Sequence, residues 1–375
     1  TVKRITGLFI TGKGLKGKLE VGGLTNLTTL DCAENELTGK LDVANLTQLT
    51  LLDCSGNKLT GKLDVANLTQ LKHLDCYRNE LSETLDVSNL TQLEDLRCSV
   101  NKLTGKLDVG NLIQLINLDC SNNNLSGELD VSNLTQLEIL FCSNNNLSGK
   151  LDVAKLTNLT QLFCQNNLLS GELDVANLTK LGVLNCTGNQ LSGSLDVSRL
   201  KDLTSLRCGR NKLTGTLDVT NLTKLEQLYC SDNLLTVLNA SGLKNLTTLS
   251  CYSNPGMETL YCSNTQLGSL DLSGLTNLTD LRCGNIPLTS FTAPDGKKLT
   301  MQSVGGGRVI FGTGDPNDTG NKGYDIDTKQ VTLTAVPDNG KFFDGWVGLV
   351  SGSTNPILFP LSADGMATAN FKGYE

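Results

Sequence analysis

Leucine and cysteine recur along this chain on a regular beat, with polar residues filling the gaps. The stretch LTQLTLLDCSGNKLTGKLDVAN, residues 46–67, returns with little change over most of the sequence. Cys32, Cys54, Cys76, Cys98, Cys120, Cys142, Cys164, Cys186, Cys208 and Cys230 follow one another at intervals of 22 residues. Cys251, Cys262 and Cys283 then follow at intervals of 21, 11 and 21. A fixed period of this length marks a solenoid, in which each coil buries its apolar side against its neighbours.

Each unit reads LxxLxCxxNxLxGxLDVxxL. Leu52, Asp53 and Cys54 alternate in, out, in, which predicts a short strand. The Asn three residues after each Cys, such as Asn57 and Asn79, falls where the chain must turn, and its amide can bond the backbone groups a turn leaves unpaired. The Thr-Gly or Ser-Gly that follows marks a second bend. Leu63, Asp64 and Val65 repeat the alternation, predicting a second short strand on the opposite side and then one 3-10-like turn at Ala-Asn-Leu-Thr. Twenty-two residues per coil leave no room for a full helix.

The ends deviate. Ile5, Leu8 and Ile10 fill the Leu, Leu and Cys slots of an atypical first coil, and the opening at Thr1 instead of Met suggests a processed or trimmed N-terminus. Ile10 and the Cys rungs predict about 14 coils within residues 1–298. Residues 236–241 shorten one repeat, and CYSNPGMETLYC spans half a period. That segment either closes a cramped coil or skips half a coil and changes phase. From Leu299 the grammar becomes short strand-like runs split by Gly, Pro, Asn and Asp, predicting a small all-β domain over 299–375 with Phe342 and Trp346 in its core. DPNDTGNKGYDID, residues 315–327, reads as a hairpin loop.

The composition is globular, with 38% hydrophobic and 18% charged residues. The net charge of -7 argues against non-specific binding to nucleic acid or anionic lipid. No apolar run approaches the ~20 residues of a membrane span, and no signal peptide is visible. The 13 cysteines occupy one repeat position between Leu at -2 and Asn at +3, so they read as stacked core residues and not as disulfide partners. Without CxxC pairs or His partners, no metal centre is expected, and no cofactor is implied. The Asp of each LDV, from Asp42 to Asp218, is expected to bond the amides of the following turn. A row of calcium sites is the alternative, and it needs several oxygens per site.

With Cys in place of its third Leu, the motif resembles the leucine-rich repeat family, LxxLxLxxNxL. The 22-residue unit with its LTxL spacer is similar to internalin-type repeats of bacterial surface proteins, and LSGELD is similar to plant-type repeats. The resemblance covers roughly residues 2–290 and implies a curved leucine-rich repeat solenoid, with a parallel sheet on its concave face. GGGRV, VTLTAVPDNGKFFDGWVG and GMATANF together resemble the divergent Listeria-Bacteroides repeat domain, which commonly sits between a binding domain and a wall or membrane attachment.

Positions that change from coil to coil while their surroundings repeat are free to meet a ligand. The residue before each Cys runs Asp53, Asp75, Arg97, Asp119, Phe141, Phe163, Asn185, Arg207, Tyr229 and, further on, Tyr261. Two residues earlier on the same face stand His73, Asp95, Asn117, Ile139, Gln161 and Val183. The predicted face is acidic at first, apolar at Ile139, Phe141, Phe163 and Val183, and Arg- and Tyr-bearing at Arg207, Tyr229, Tyr252 and Tyr261. An aromatic cluster on a surface that needs no further core is a candidate hot spot. His73, the only His, stands among acids, but no motif positions a nucleophile. The expectation is a non-catalytic, adhesin-like protein of the cell surface or the extracellular space, with a protein ligand, host proteins included. The alternatives are glycan binding through the tyrosines and a structural stalk without a specific ligand.

Overall fold

The computed structural model describes residues 4–315 and 323–374. The chain divides into two compact units, Thr1–Leu191 and Ser192–Glu375. Its repeat region is a leucine-rich repeat solenoid of about 13 turns, without helix among the described residues, and it is followed by a small antiparallel β domain.

In the first unit each coil contributes two strands. The first is the predicted one: Leu51–Asp53, His73–Asp75 and Asp95–Arg97 are successive members of a parallel sheet. Equivalent residues pair across it, Leu51 with His73 and then His73 with Asp95. Leu52 and Cys54 are fully buried between the coils.

The second strand lies earlier than the LDV segment that alternation suggested. It is Lys58–Gly61, and its counterparts are Glu80–Glu83 and Lys102–Gly105. Pairing in this second sheet is staggered, since Thr38 faces Lys58 and Gly39 faces Leu59, 20 residues apart instead of 22. Gly61 ends the strand at φ +74°, a left-handed conformation natural to glycine. LDV runs extended beyond it, with Leu63 and Val65 buried, but unpaired. Two successive i to i+3 turns follow instead of one, Leu68 N to Val65 O and Leu71 N to Leu68 O, each 2.9 Å.

The asparagine row joins the coils. Asn57 Nδ2 donates to the Cys32, Cys54 and Ser55 carbonyls at 3.1 Å, and its Oδ1 accepts the Leu37 N–H at 3.0 Å. The same set recurs at Asn145. All 13 cysteines are buried thiols. Burial pushes twelve of them upward in pKa, to about 12 at Cys32 and Cys186.

The second unit explains the half-period. Lys212–Asp218 and Leu234–Asn239 pair through the LDV position, Leu217 with Leu238 and Asp218 with Asn239. This happens where the repeat is one residue short and its Gly is missing. Asn239 then faces Tyr261, and Tyr261 faces Arg282. The strands before Cys262 and Cys283 thus belong to the second sheet, not the first. Of the two readings of CYSNPGMETLYC, the phase change is the one found. Among the described residues, twelve strands have the first-sheet position, fewer than the 14 rungs expected from sequence, because the phase change puts the strands before Cys262 and Cys283 in the second sheet.

Ser269–Asp271 and Ser290–Thr292 continue into Lys298–Val304, Gly365–Gly373 and Lys341–Gly348 as one five-stranded sheet. Phe291 of the last coils packs on Phe311 and Tyr324 at centroid distances of 4.7 and 5.2 Å. Trp346 is buried and donates its indole N–H to Thr354 O at 3.0 Å. Phe342 is half-buried against Tyr374. Most of the 315–327 loop lies outside the described residues.

Candidate functional site

The first-sheet face of the N-terminal unit is the best-formed candidate. In-register pairing stacks the same repeat position on adjacent strands, so a row read from sequence becomes a row in space about 4.8 Å per step. Asp53, Asp75, Arg97, Asp119, Phe141, Phe163 and Asn185 are consecutive along one such row. Leu51, His73, Asp95, Asn117, Ile139, Gln161 and Val183 form its neighbour.

The acidic members are held by local bonds. Asp53 Oδ1 accepts the N–H and hydroxyl of Ser55 at 3.0 and 2.7 Å. Asp75 Oδ1 accepts the Tyr77 N–H at 3.0 Å. Asp119 takes Ser121 on one oxygen and the Ser99 hydroxyl on the other, at 2.7 and 2.6 Å. Each aspartate caps the turn two residues on, so part of the acidity of this row serves the corner of the coil. His73 Nδ1 lies 3.2 Å from Asp95, whose other oxygen receives the Asn117 amide at 2.6 Å. Burial pushes the Asp75 carboxyl up to about 6; the Tyr77 N–H and Arg97 oppose this, and Asp53 and Asp119 reinforce it.

Phe141 and Phe163 stand on neighbouring strands as an edge-to-face pair, with centroids 4.9 Å apart and planes at 81°. Both are only partly covered. Next to them a depression of about 310 Å³ is lined by Asp75, Tyr77, Arg97, Asn117, Asp119, Ile139 and Phe141. A second one of about 220 Å³ adjoins it through Asp75 and Arg97, with Asp53, His73 and Asp95 in its walls. Asn117 and Asp119 belong to the two rows read from the sequence, whereas Tyr77 stands one residue after Cys76, at an offset those rows do not cover.

Val183 stands two strands from Ile139, with Gln161 between. Arg207 and Tyr229 lie in the second unit, where the guanidinium sits 4.8 Å above the ring. Tyr261 is misplaced by the sequence reading. The phase change carries it to the second sheet, where it bonds Asp280 and stacks under Arg282 at 4.6 Å. Tyr229 and Tyr261 therefore occupy different sheets, so Tyr261 does not join Tyr229 on the face suggested for a sugar. The LDV aspartates Asp86, Asp130, Asp152, Asp174, Asp196 and Asp218 bond the following turn, as at Asp130, whose Oδ1 takes the Ser132 N–H and hydroxyl at 3.1 and 2.7 Å. These bonds hold the Asp130 carboxyl below the usual carboxylate range.

Residues 298–374 match the family model of the divergent InlB B-repeat domain. No curated protein matches the chain by sequence. Among solved structures, the functional domain of InlJ from Listeria monocytogenes, which includes a cysteine ladder, is 27% identical, with a TM-score of 0.57 over 99% of this chain and 90% of that one. The architecture is internalin-like. The fold is shared with the ectodomain of the receptor kinase GASSHO1/SCHENGEN3 from Arabidopsis thaliana, solved with CASPARIAN STRIP INTEGRITY FACTOR 2 (23% identity, TM-score 0.62, 80% of this chain and 45% of that one). The Arabidopsis HAESA ectodomain, solved with an IDA peptide hormone, is 25% identical with a TM-score of 0.54, over 76% of this chain and 62% of that one. The chain thus spans less than two thirds of these plant ectodomains. No helix among the described residues is long and apolar enough to cross a membrane.

Proposed function

We propose that this chain is a non-catalytic, adhesin-like module of the cell surface or extracellular space. It binds a protein ligand, host proteins included, on the first-sheet face of its N-terminal unit, and residues 299–375 act as a spacer. The Phe141–Phe163 pair is the observation that carries this reading. Every coil already has its apolar core from the repeated Leu, Val and Cys positions, so two phenylalanines on the outer side of the sheet add nothing to it. Placed beside two depressions with charged rims, they have the make-up of an interface centre with a polar surround. The HAESA ectodomain, solved with a peptide hormone ligand, shares this fold and supports a binding role.

Capture from a host-cell surface extract tests it. A chain with Phe141→Ser and Phe163→Ser should lose the protein that the unmodified chain retains, with an unchanged circular dichroism spectrum. Retention by the double variant would rule this face out.

A further inference from the structure

The chemistry of this face selects a partner. We propose that it takes a protein segment in which a lysine or arginine lies beside an aromatic or branched apolar residue. The cation enters the depression beside Asp75 and Asp119, and the apolar side chain packs on Phe141 and Phe163. This rests on the protein-binding reading above and adds the nature of the segment.

Charge complementarity carries the argument. Around the two depressions four carboxylates, Asp53, Asp75, Asp95 and Asp119, face the one guanidinium of Arg97, a net charge of -3 with His73 neutral. Three of the four are well supplied with donors. Asp53 holds Ser55, Asp95 holds His73 and Asn117, and Asp119 holds two serines. Asp75 differs. Its Oδ1 takes one backbone N–H, while its Oδ2 meets Arg97 only at 4.0 Å, beyond hydrogen-bond reach. Its side chain is 26% exposed and opens into both depressions. A partly buried carboxylate with one unengaged oxygen gains most from an incoming cation.

The depression is not purely polar. Ile139 and Phe141 form its far wall, and Phe163 continues that wall onto the next strand. The aliphatic stem of a lysine or arginine can lie on such a wall while its charge reaches the carboxylate. Three strand spacings, about 14 Å, separate Asp75 from Phe141. Two or three extended residues and one long side chain span that distance. An acidic segment would meet four carboxylates, and a neutral one would leave Asp75 uncompensated.

Panning a displayed library of random peptides on the full chain tests this. Enriched sequences should combine a basic residue with an aromatic or branched apolar one within three positions. A synthetic copy should lose about tenfold in affinity on Asp75→Asn, which keeps the oxygen that accepts the Tyr77 N–H. It should also weaken severalfold when salt rises from about 50 to about 500 mM. Peptides that require Phe141 and Phe163 but lack a basic residue, or that ignore Asp75→Asn, would overturn this inference and leave protein binding standing. Failure to enrich any peptide dependent on Phe141 or Phe163 would remove both.

Discussion

The side chain of Asn145 reaches back one coil to the carbonyl of Cys120 at 3.0 Å while still holding the Cys142 carbonyl of its own coil. Its oxygen meanwhile takes the Leu125 N–H at 2.9 Å. One buried amide thereby satisfies backbone groups of two coils at the corner where neither sheet can pair them. Asn145→Ala leaves the Leu125 N–H buried without a partner, while Asn123 and Asn167 still reach the Cys120 and Cys142 carbonyls. The expected loss is about 1–3 kcal/mol, measured as a shift in the urea unfolding midpoint of the N-terminal unit.

The cysteines are buried at every rung, and burial raises the pKa of thiols such as Cys186 and Cys251 to about 12. Neither access nor ionisation favours reaction. With a disulfide exchange reagent at pH 8, the folded chain should react at a rate set by unfolding, and all 13 thiols should titrate in concentrated guanidinium. Rapid reaction of several thiols in the native protein would contradict the packing.

Asp75 links stability to pH. Its carboxyl is raised from 3.8 to about 6 in the folded chain, so ionising it opposes folding. Below pH 4 the group is protonated in both states and costs nothing. Between pH 4 and 6 stability falls as pH rises, and above 6 the cost is complete. Asp75→Asn should therefore stabilise the protein at pH 8 by about 1–2 kcal/mol, allowing for solvent screening, and by almost nothing at pH 4. Urea unfolding at the two pH values checks both halves.

Glu83 occupies the position that is glycine in most coils, at φ +68° beside Gly61 at +74° and Gly105 at +75°. A residue with a Cβ pays for this conformation with about 1 kcal/mol. Glu83→Gly should recover about that much, visible as a higher melting temperature. An unchanged or lower one would mean that its side chain contributes more than its backbone costs.

Tyr261 offers a negative control for the binding face. Because it lies in the second sheet against Asp280 and Arg282, Tyr261→Ala should leave partner capture unchanged while Phe141→Ser abolishes it. Surface plasmon resonance with the captured partner separates the two.

Much of the interior was legible in the sequence. The alternation at Leu52-Asp53-Cys54, the asparagine corner and the burial of Leu63 and Val65 are consequences of side-chain direction, which a strand of known period determines locally. The row Asp75, Arg97, Asp119, Phe141, Phe163 was also readable, because a 22-residue period with in-register pairing places the same repeat position on every rung. What alternation could not reveal is which extended segment finds a partner. Lys58–Gly61 pairs and Leu63-Asp64-Val65 does not, since pairing depends on where the next coil lays its backbone, and the left-handed residue at the end of the strand turns the chain away. The same dependence moved Tyr261 to the opposite sheet. Eleven residues between Cys251 and Cys262 are half a coil, so the motif repeats on schedule in the sequence while its strand lands on the other side. Local periodicity determines which side chains point inward. Only the path of the neighbouring coil decides which sheet they join.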